Sequence, residues 1–298
     1  MLNPTQPPLI AFICMALGAT GLTLGDFFIK KASLEGVSVA ALLLFASPLT
    51  IVGLTLLAHF RGGIGHHLAP RAPGKLVIRA GLLLVMSWLN ITSLSLNPYA
   101  QHAMLFQLSP VFVLLIGILF MGERVTAPIL IAITVCLLGT WLILDPGLQG
   151  ISITLLFAIT AALSNAATNS FVAANRKAAT PLGFTFWAVI GVLCIVLPYW
   201  AVFDQSVPGK TALIWVQLSA ALAIGGIVLA SLAMQLSNGS TGKVGIMLYV
   251  QMPVAILLGW LAFGEQPPNM AILGGALIVL AGASIPLLEL RNRTRIRA

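Results

Sequence analysis

The chain has 298 residues, 59% of them hydrophobic and 7% charged, with a mean hydropathy of +1.05. A soluble domain carries about a quarter of its residues as Asp, Glu, Lys and Arg, so this chain is built for lipid and its functional groups belong to its membrane part. The net charge of +8 does not point to nucleic acid, because the basic residues sit in short loops and at the C-terminus, where they orient spans.

Apolar runs of about 20 residues, enough to cross ~30 Å of hydrocarbon, predict ten spans. They fall at 8–31, 37–60, 76–96, 98–121, 126–145, 151–174, 180–202, 212–236, 243–264 and 268–288. The first reads as a retained span, since no basic segment precedes it and no A-x-A cleavage site follows. Near its outer end Asp26 and Lys30 stand four apart and are expected to pair, with Lys30 and Lys31 reaching outward. Span two contains Ser47 and Pro48. Span three opens with Arg79, expected to snorkel to headgroup phosphates, and continues through Ser87, Trp88 and Asn90. Asn97-Pro98 separates it from span four, which carries His102, Phe106, Gln107 and Pro110 and ends at Gly122-Glu123. Span six holds Ser164, Asn165 and Asn169, and span seven holds Trp187 and Pro198. Span nine carries Met247, Tyr249, Gln251, Met252 and Pro253 and ends at Gly264-Glu265. Glu123 and Glu265 are expected to cap the helices that follow them. Tyr99, Tyr199, Trp200 and Trp215 lie near span ends, as interfacial aromatics do. Cys14, Cys136 and Cys194 lack CxxC spacing and read as packing residues, with no disulfide or metal site implied.

The two halves repeat. Gln107, Pro110 and Glu123 recur as Gln251, Pro253 and Glu265, at offsets of 144, 143 and 142 residues. An even span count puts both termini on one side, and Arg291, Arg293, Arg295 and Arg297 place that side in the cytoplasm. On that topology twelve basic residues fall inside and three (Lys30, Lys31, Lys210) outside. Five spans per half then make the copies inverted, 1–147 against 148–298, an all-α polytopic architecture of the kind alternating-access carriers use.

The paired Gly122-Glu123 and Gly264-Glu265 ends, the segment Leu94 to Pro110, the run Leu138 to Gly147 and the doubled layout together resemble the drug/metabolite transporter superfamily, specifically its EamA-type carriers. The resemblance implies ten helices in two inverted repeats. Its central cavity would be lined mainly by spans one, three, four, six, eight and nine, with spans five and ten peripheral. It also implies a small-metabolite cargo, such as an amino acid, a vitamin or a nucleotide-related compound.

Polar side chains at membrane depth are costly unless they meet a partner or a wet cavity. At 1.5 Å per residue, Ser47, Ser87, Asn90, Gln107, Ser164, Asn165 and Gln251 share one depth, with Asn169 nearer the cytoplasm. Gln107 and Gln251 are expected to face each other, and Pro110 and Pro253 to kink their helices by freeing the carbonyls of Phe106 and Tyr249. Gln107, Gln251, Asn90, Asn165 and Asn169 are therefore the candidate polar contacts to a substrate, and Trp88, Phe106, Tyr249 and Trp187 the candidate apolar walls. Asp26 and His102 are candidates for proton coupling. No Walker loop, zinc-protease or esterase motif occurs, so no cofactor is expected and the chain is not read as an enzyme. The expectation is a multi-pass carrier of a bacterial inner membrane, both termini cytoplasmic, moving a small neutral or zwitterionic metabolite. Export of amino acids or related compounds comes first, by family association alone. Uptake of a vitamin such as riboflavin comes second, and an intramembrane enzyme or a structural protein is the remote alternative. The expected partners are a small-molecule substrate and the bilayer, with a homodimer left open.

Overall fold

The computed structural model describes residues 9–121, 127–144, 152–175, 178–236, 244 and 246–296, which form helices joined by turns and short loops, with no strand among the described residues. Helices α1 (Leu9–Leu34) and α2 (Val39–Phe60) form the first pair, and α2 continues through Pro48. Its N-cap is Ser38, whose Oγ accepts the Ala41 amide at 3.0 Å. A short helix α3 (Ile64–Leu68) follows where the sequence reads as a loop, turned by Gly62 and Gly63 at φ 129° and 99°. Next come α4 (Pro73–Leu96), a divided span made of α5 (Tyr99–Phe106) and α6 (Ser109–Met121), then α7 (Ala127–Leu144) and α8 (Leu155–Ala174). Helix α9 (Pro181–Tyr199), N-capped by Thr180, runs into a π turn at Trp200–Asp204. It is followed by α10 (Lys210–Gln235), a 3-10 turn at Ile246–Val250, α11 (Gln251–Phe263) and α12 (Asn269–Ile296). Gly264 at φ 64° stops α11 in the left-handed conformation that terminates many helices.

Among the described residues, seven helical stretches are long and apolar enough to cross a membrane by length and composition. Shorter apolar helical stretches, Ile133–Ile143, Met247–Phe263 and Asn269–Ala281, lie where the sequence predicts spans five, nine and ten. Many large apolar side chains point outward, Phe60, Phe120 and Phe203 among them, as a bundle sheathed by lipid requires.

The packing pairs form a pattern. Helix α1 lies on α10 and α4 on α8; α4 also meets α9 while α2 meets α10; α6 meets α8 while α11 meets α1. Three further pairs, α2 with α9, α5 with α11 and α7 with α12, join corresponding helices of the two halves. Glycines set the tightest crossings. A Cβ on Gly226 would stand 2.8 Å from the Gly18 carbonyl oxygen, and one on Gly139 would stand 2.6 Å from that of Gly274. Apolar helices have no hydrophobic drive to associate in lipid, so close backbone approach supplies the contact. Gly226→Val is therefore expected to destabilise the bundle by about 1–3 kcal/mol through overpacking. Gly81→Val, where a Cβ meets nothing within 4 Å, is expected to leave it unchanged. Thermal unfolding of the two variants in detergent checks this.

Hydrogen bonds tie the two ends of the bundle differently. At one end, called here the Pro98 end, the Trp215 indole donates to Glu35 at 3.0 Å, and the Ser38 hydroxyl donates to Asp204. There Asn97 Nδ2 donates to the Thr154 carbonyl at 2.8 Å, and the Thr154 hydroxyl donates to Asn97 Oδ1 at 2.6 Å. At the other end the Thr180 hydroxyl donates to the His67 carbonyl at 3.1 Å. Each of these contacts joins the first half of the chain to the second.

Candidate functional site

Both glutamines stand at interruptions of their helices. Helix α5 ends at Phe106, Gln107 closes it at φ −68° and ψ −2°, and α6 begins at Ser109. Pro110 thus sits in the first turn of a new helix, where a missing amide costs nothing. In the second half the 3-10 turn gives way to α11 at Gln251, and Pro253 again falls in the first turn. The kinks expected from the prolines are therefore a two-residue interruption at Gln107 and a change of winding from 3-10 to α at Gln251, together called breaks below.

Against the second break lies a cavity of about 20 Å³, lined by Thr23, Asp26, Tyr99, His102, Ala103, Phe106 and Gln251. That is room for about one water. Asn90 Nδ2 donates to the Asp26 carboxylate at 3.4 Å, bringing α4 to the same place. The Tyr99 hydroxyl donates to the Thr23 carbonyl at 2.6 Å. His102 Nδ1 lies 2.8 Å from Ser93 Oγ, and its ring stacks on Phe106 at 5.8 Å between centroids. Buried atoms around the two breaks lack partners: His102 Nε2, Gln107 Nε2, Tyr249 Oη and Asn90 Oδ1. Each costs about 1–3 kcal/mol unless something bonds it, and native folds leave few such atoms. A cluster of them beside broken helices is what a polar ligand satisfies.

Of the residues singled out from sequence, Asp26, Asn90, His102, Phe106 and Gln251 meet at this cavity. Gln107 and Tyr249 lie buried at the breaks, 6% and 8% exposed. Asn165 Nδ2 donates to Ser109 Oγ at 2.9 Å, joining α8 to the start of α6, and the exposed Asn169 stacks one turn away, donating to Asn165 at 3.4 Å. The two tryptophans lie elsewhere. Trp88 lines an apolar groove of about 310 Å³ between α4 and α9, edge-on to Tyr199, and Trp187 donates its indole N–H to the Leu68 carbonyl at 2.8 Å.

Several local expectations need correction. Asp26 and Lys30 do not pair: Asp26 accepts from Asn90, and Lys30, 6% exposed, donates to the Asn97 carbonyl at 2.5 Å. Lys31 rests over the rings of Phe27 and Trp215. Arg79 does not reach for headgroups but is 8% exposed. Tyr99 is 1% exposed, a cavity wall rather than an interfacial anchor. Glu265 caps α5 of the other half instead of the next helix, its carboxylate accepting the Tyr99 and Ala100 amides at 2.6 and 2.9 Å. Its mate Glu123 lies outside the described residues. Thr23, Tyr99 and Asn97 had no motif to announce them. Their only signal was a hydrogen-bonding side chain close to a span of polar residues.

Residues 152–285 match the EamA-like transporter family. An uncharacterised transporter of Archaeoglobus fulgidus is 25% identical over 292 residues, 93% of this chain and 98% of that protein. The two matches together support membership of the drug/metabolite transporter superfamily. It is similar to a pseudopaline exporter of Pseudomonas aeruginosa, 32% identical over 62% of this chain and 64% of the exporter. It is also similar to a riboflavin transporter of Vibrio cholerae, 26% identical over 67% of this chain and 66% of that protein. A crystal structure with 19% identity shares the fold at a TM-score of 0.60, covering 94% of this chain and 98% of the other. The transporter matches and the apolar helices together support a multi-pass helical membrane protein.

Proposed function

We propose that this protein is an inner-membrane secondary carrier that moves a small neutral or zwitterionic metabolite by alternating access, exporting amino acids or related compounds. The observation that carries the reading is the pair of helix breaks at Gln107 and Gln251, the second opening on the cavity that Asp26, Tyr99, His102 and Phe106 also line. Broken helices at membrane depth expose backbone and side-chain hydrogen-bonding groups, and carriers built from inverted repeats bind cargo there. Two further features support ten spans in two inverted five-helix units, 1–147 and 148–298. The packing pairs exchange with one another when the halves are swapped, and the basic residues divide twelve to three across the spans.

Gln251 and Gln107 bond the polar groups of the cargo, Asn90 and Asn165 assist from α4 and α8, and Phe106 and Tyr249 pack its apolar part. The halves rock about the breaks, so that the Pro98 end and the opposite, cytoplasmic end open in turn. Likeness to a pseudopaline exporter favours outward flux. Uptake of a flavin is the second reading, favoured by relatives named riboflavin transporters and by the stacked His102 and Phe106 rings beside the cavity.

Counterflow in proteoliposomes loaded with an amino-acid and vitamin library tests the proposal. One compound class is expected to exchange through the wild type, with Gln251→Ala reducing its rate by about tenfold, the loss expected for one or two hydrogen bonds. Exchange of nothing by a folded, correctly inserted protein, or full activity in Gln251→Ala, overturns it. A thermal-shift screen of the same library identifies the cargo, because a ligand specific for the folded state raises the melting temperature.

A further inference from the structure

Arg79 is the one buried side chain of α4 whose charge nothing among the described residues answers. It is 8% exposed, and its Nε and Nη1 have no hydrogen-bond partner. The four carboxylates with described side chains, Asp26, Glu35, Asp204 and Glu265, are engaged elsewhere, by Asn90, Trp215, Ser38 and the start of α5 respectively. All four lie in the Pro98 half of the bundle, whereas Arg79 sits in the second turn of α4 at the opposite end.

Helix geometry says which neighbour Arg79 meets. Asn97, which bonds Thr154 at the head of α8, is 18 residues after Arg79. Eighteen residues are five full turns at 3.6 per turn, so Arg79 lies on the face of α4 turned to α8. On α8, Thr168 comes 14 residues after Thr154, within about 40° of the same face. Its hydroxyl is also buried and unpartnered, the residue being 1% exposed. Two orphaned polar groups therefore share the α4–α8 interface in its cytoplasmic half, one cationic and one neutral, and Asn165 and Asn169 lie on the turns of α8 beside them.

We propose that Arg79, assisted by Thr168, is the receptor for the carboxylate of the transported metabolite. A guanidinium presents a planar fork of donors that matches a carboxylate in two parallel hydrogen bonds, and a hydroxyl adds a third. A cation buried within a membrane helix and with no partner among the described residues is a candidate for a ligand path. The subsite deepens the carrier reading and rests on it: Asn90 stands eleven residues, about 16 Å, further along α4, so the cargo's acidic group docks at Arg79 at one stage of the path and moves on to Asn90 and the breaks at another. It also narrows the cargo to compounds with a free carboxylate, and a zwitterionic amino acid satisfies both requirements.

Thermal shift of the purified full chain with benzoate, and with benzamide as its uncharged counterpart, tests the subsite. Benzoate is expected to raise the melting temperature of the wild type and benzamide is not. Arg79→Gln should abolish the benzoate shift, Arg79→Lys should keep part of it, and Thr168→Val should weaken apparent benzoate affinity several-fold. Thr168→Val retains the guanidinium, so it decides the matter even where Arg79→Gln does not fold. No benzoate shift in the wild type, equal shifts from benzoate and benzamide, or an unchanged benzoate response in either Arg79→Gln or Thr168→Val overturns the proposal. A second arm repeats the titration in nanodiscs with and without phosphatidylglycerol. A melting-temperature rise from phosphatidylglycerol that vanishes in Arg79→Gln, with no benzoate response in either nanodisc, assigns the guanidinium to a lipid phosphate and also overturns it. Counterflow of the amino-acid library by the wild type is read separately, so failure of the carrier reading and failure of this subsite are told apart.

Discussion

Glu265→Ala is expected to reduce transport by at least about tenfold and to leave the Pro98 end of the bundle open. The Glu265 carboxylate accepts the amides of Tyr99 and Ala100, the free donors at the first turn of α5. It is thus a cap supplied from a loop 165 residues away in the chain, and it ties the second half of the molecule to the helix that carries His102 and Phe106. Hydrogen bonds to a charged acceptor contribute about 1.5–3 kcal/mol each, and either loss alone is enough to shift a balanced two-state equilibrium about tenfold. Glu265→Gln keeps one acceptor oxygen and should fall between the parent and Glu265→Ala. The measurement is labelling of Ala103→Cys by a membrane-impermeant thiol reagent, in a chain with Cys14, Cys136 and Cys194 replaced. Ala103 lines the central cavity, so labelling from outside should be slow in the parent and several-fold faster with Glu265→Ala. Equal labelling in both would show that the contact is a cap and not a latch.

That a carboxylate caps a helix at this position was legible in the sequence, but which helix was not. Glu265 precedes a helix start and naturally reads as its cap, whereas the donors it meets belong to the other half. The spans themselves were legible because lipid imposes a length and a polarity that few other environments require. Gln107, Pro110, Gln251 and Pro253 were legible because they recur at a fixed offset within otherwise apolar runs. What could not be read was direction around each helix. A helix apolar on all sides gives no stripe to mark its inner face, so Lys30 and Arg79 looked like snorkelling cations and Tyr99 like an interfacial anchor. The same ambiguity placed Trp88 and Trp187 with the cavity, while the structure sets them against α9 and α3 contacts. Helix α3 was missed because its five residues, two of them histidine, carry too little apolar pattern to distinguish them from a loop.

The site's asymmetry also follows from this geometry. Repeat mates are alike in the elements that break the helices and unlike in what surrounds them. Gln251 lines the small cavity, whereas Gln107 is buried beside it with its amide nitrogen unbonded. On the proposed reading, a duplicated framework would supply two hinges, and the single-copy residues Asp26, Tyr99 and His102, which line the cavity, would supply the chemistry on one side only. A carrier with two equivalent hinges and a one-sided polar cluster can rock symmetrically while binding its cargo in a single orientation.

Asp26→Asn is expected to abolish accumulation driven by a proton gradient while leaving counterflow within about a factor of three of the parent. The Asp26 carboxylate faces the cavity together with the His102 ring and accepts a hydrogen bond from Asn90, with Thr23, Tyr99 and Gln251 completing the wall. No basic side chain pairs with it among the described residues, because Lys30 is turned to the Asn97 carbonyl. A lone carboxyl beside a space large enough for about one water is placed to take a proton when the cavity opens to one side and to release it on the other. Asparagine has nearly the same shape and continues to bond Asn90, so cargo binding and the rocking step should persist. It cannot exchange a proton, so the imposed gradient should no longer drive net movement. Proteoliposomes with an acidic or a neutral lumen, assayed for net uptake and for exchange at equal pH, separate the two functions. Net transport by Asp26→Asn that still follows the gradient would remove Asp26 from the coupling step. His102→Gln would then be the next variant to assay, since its ring nitrogen Nε2 is the neighbouring buried group without a partner.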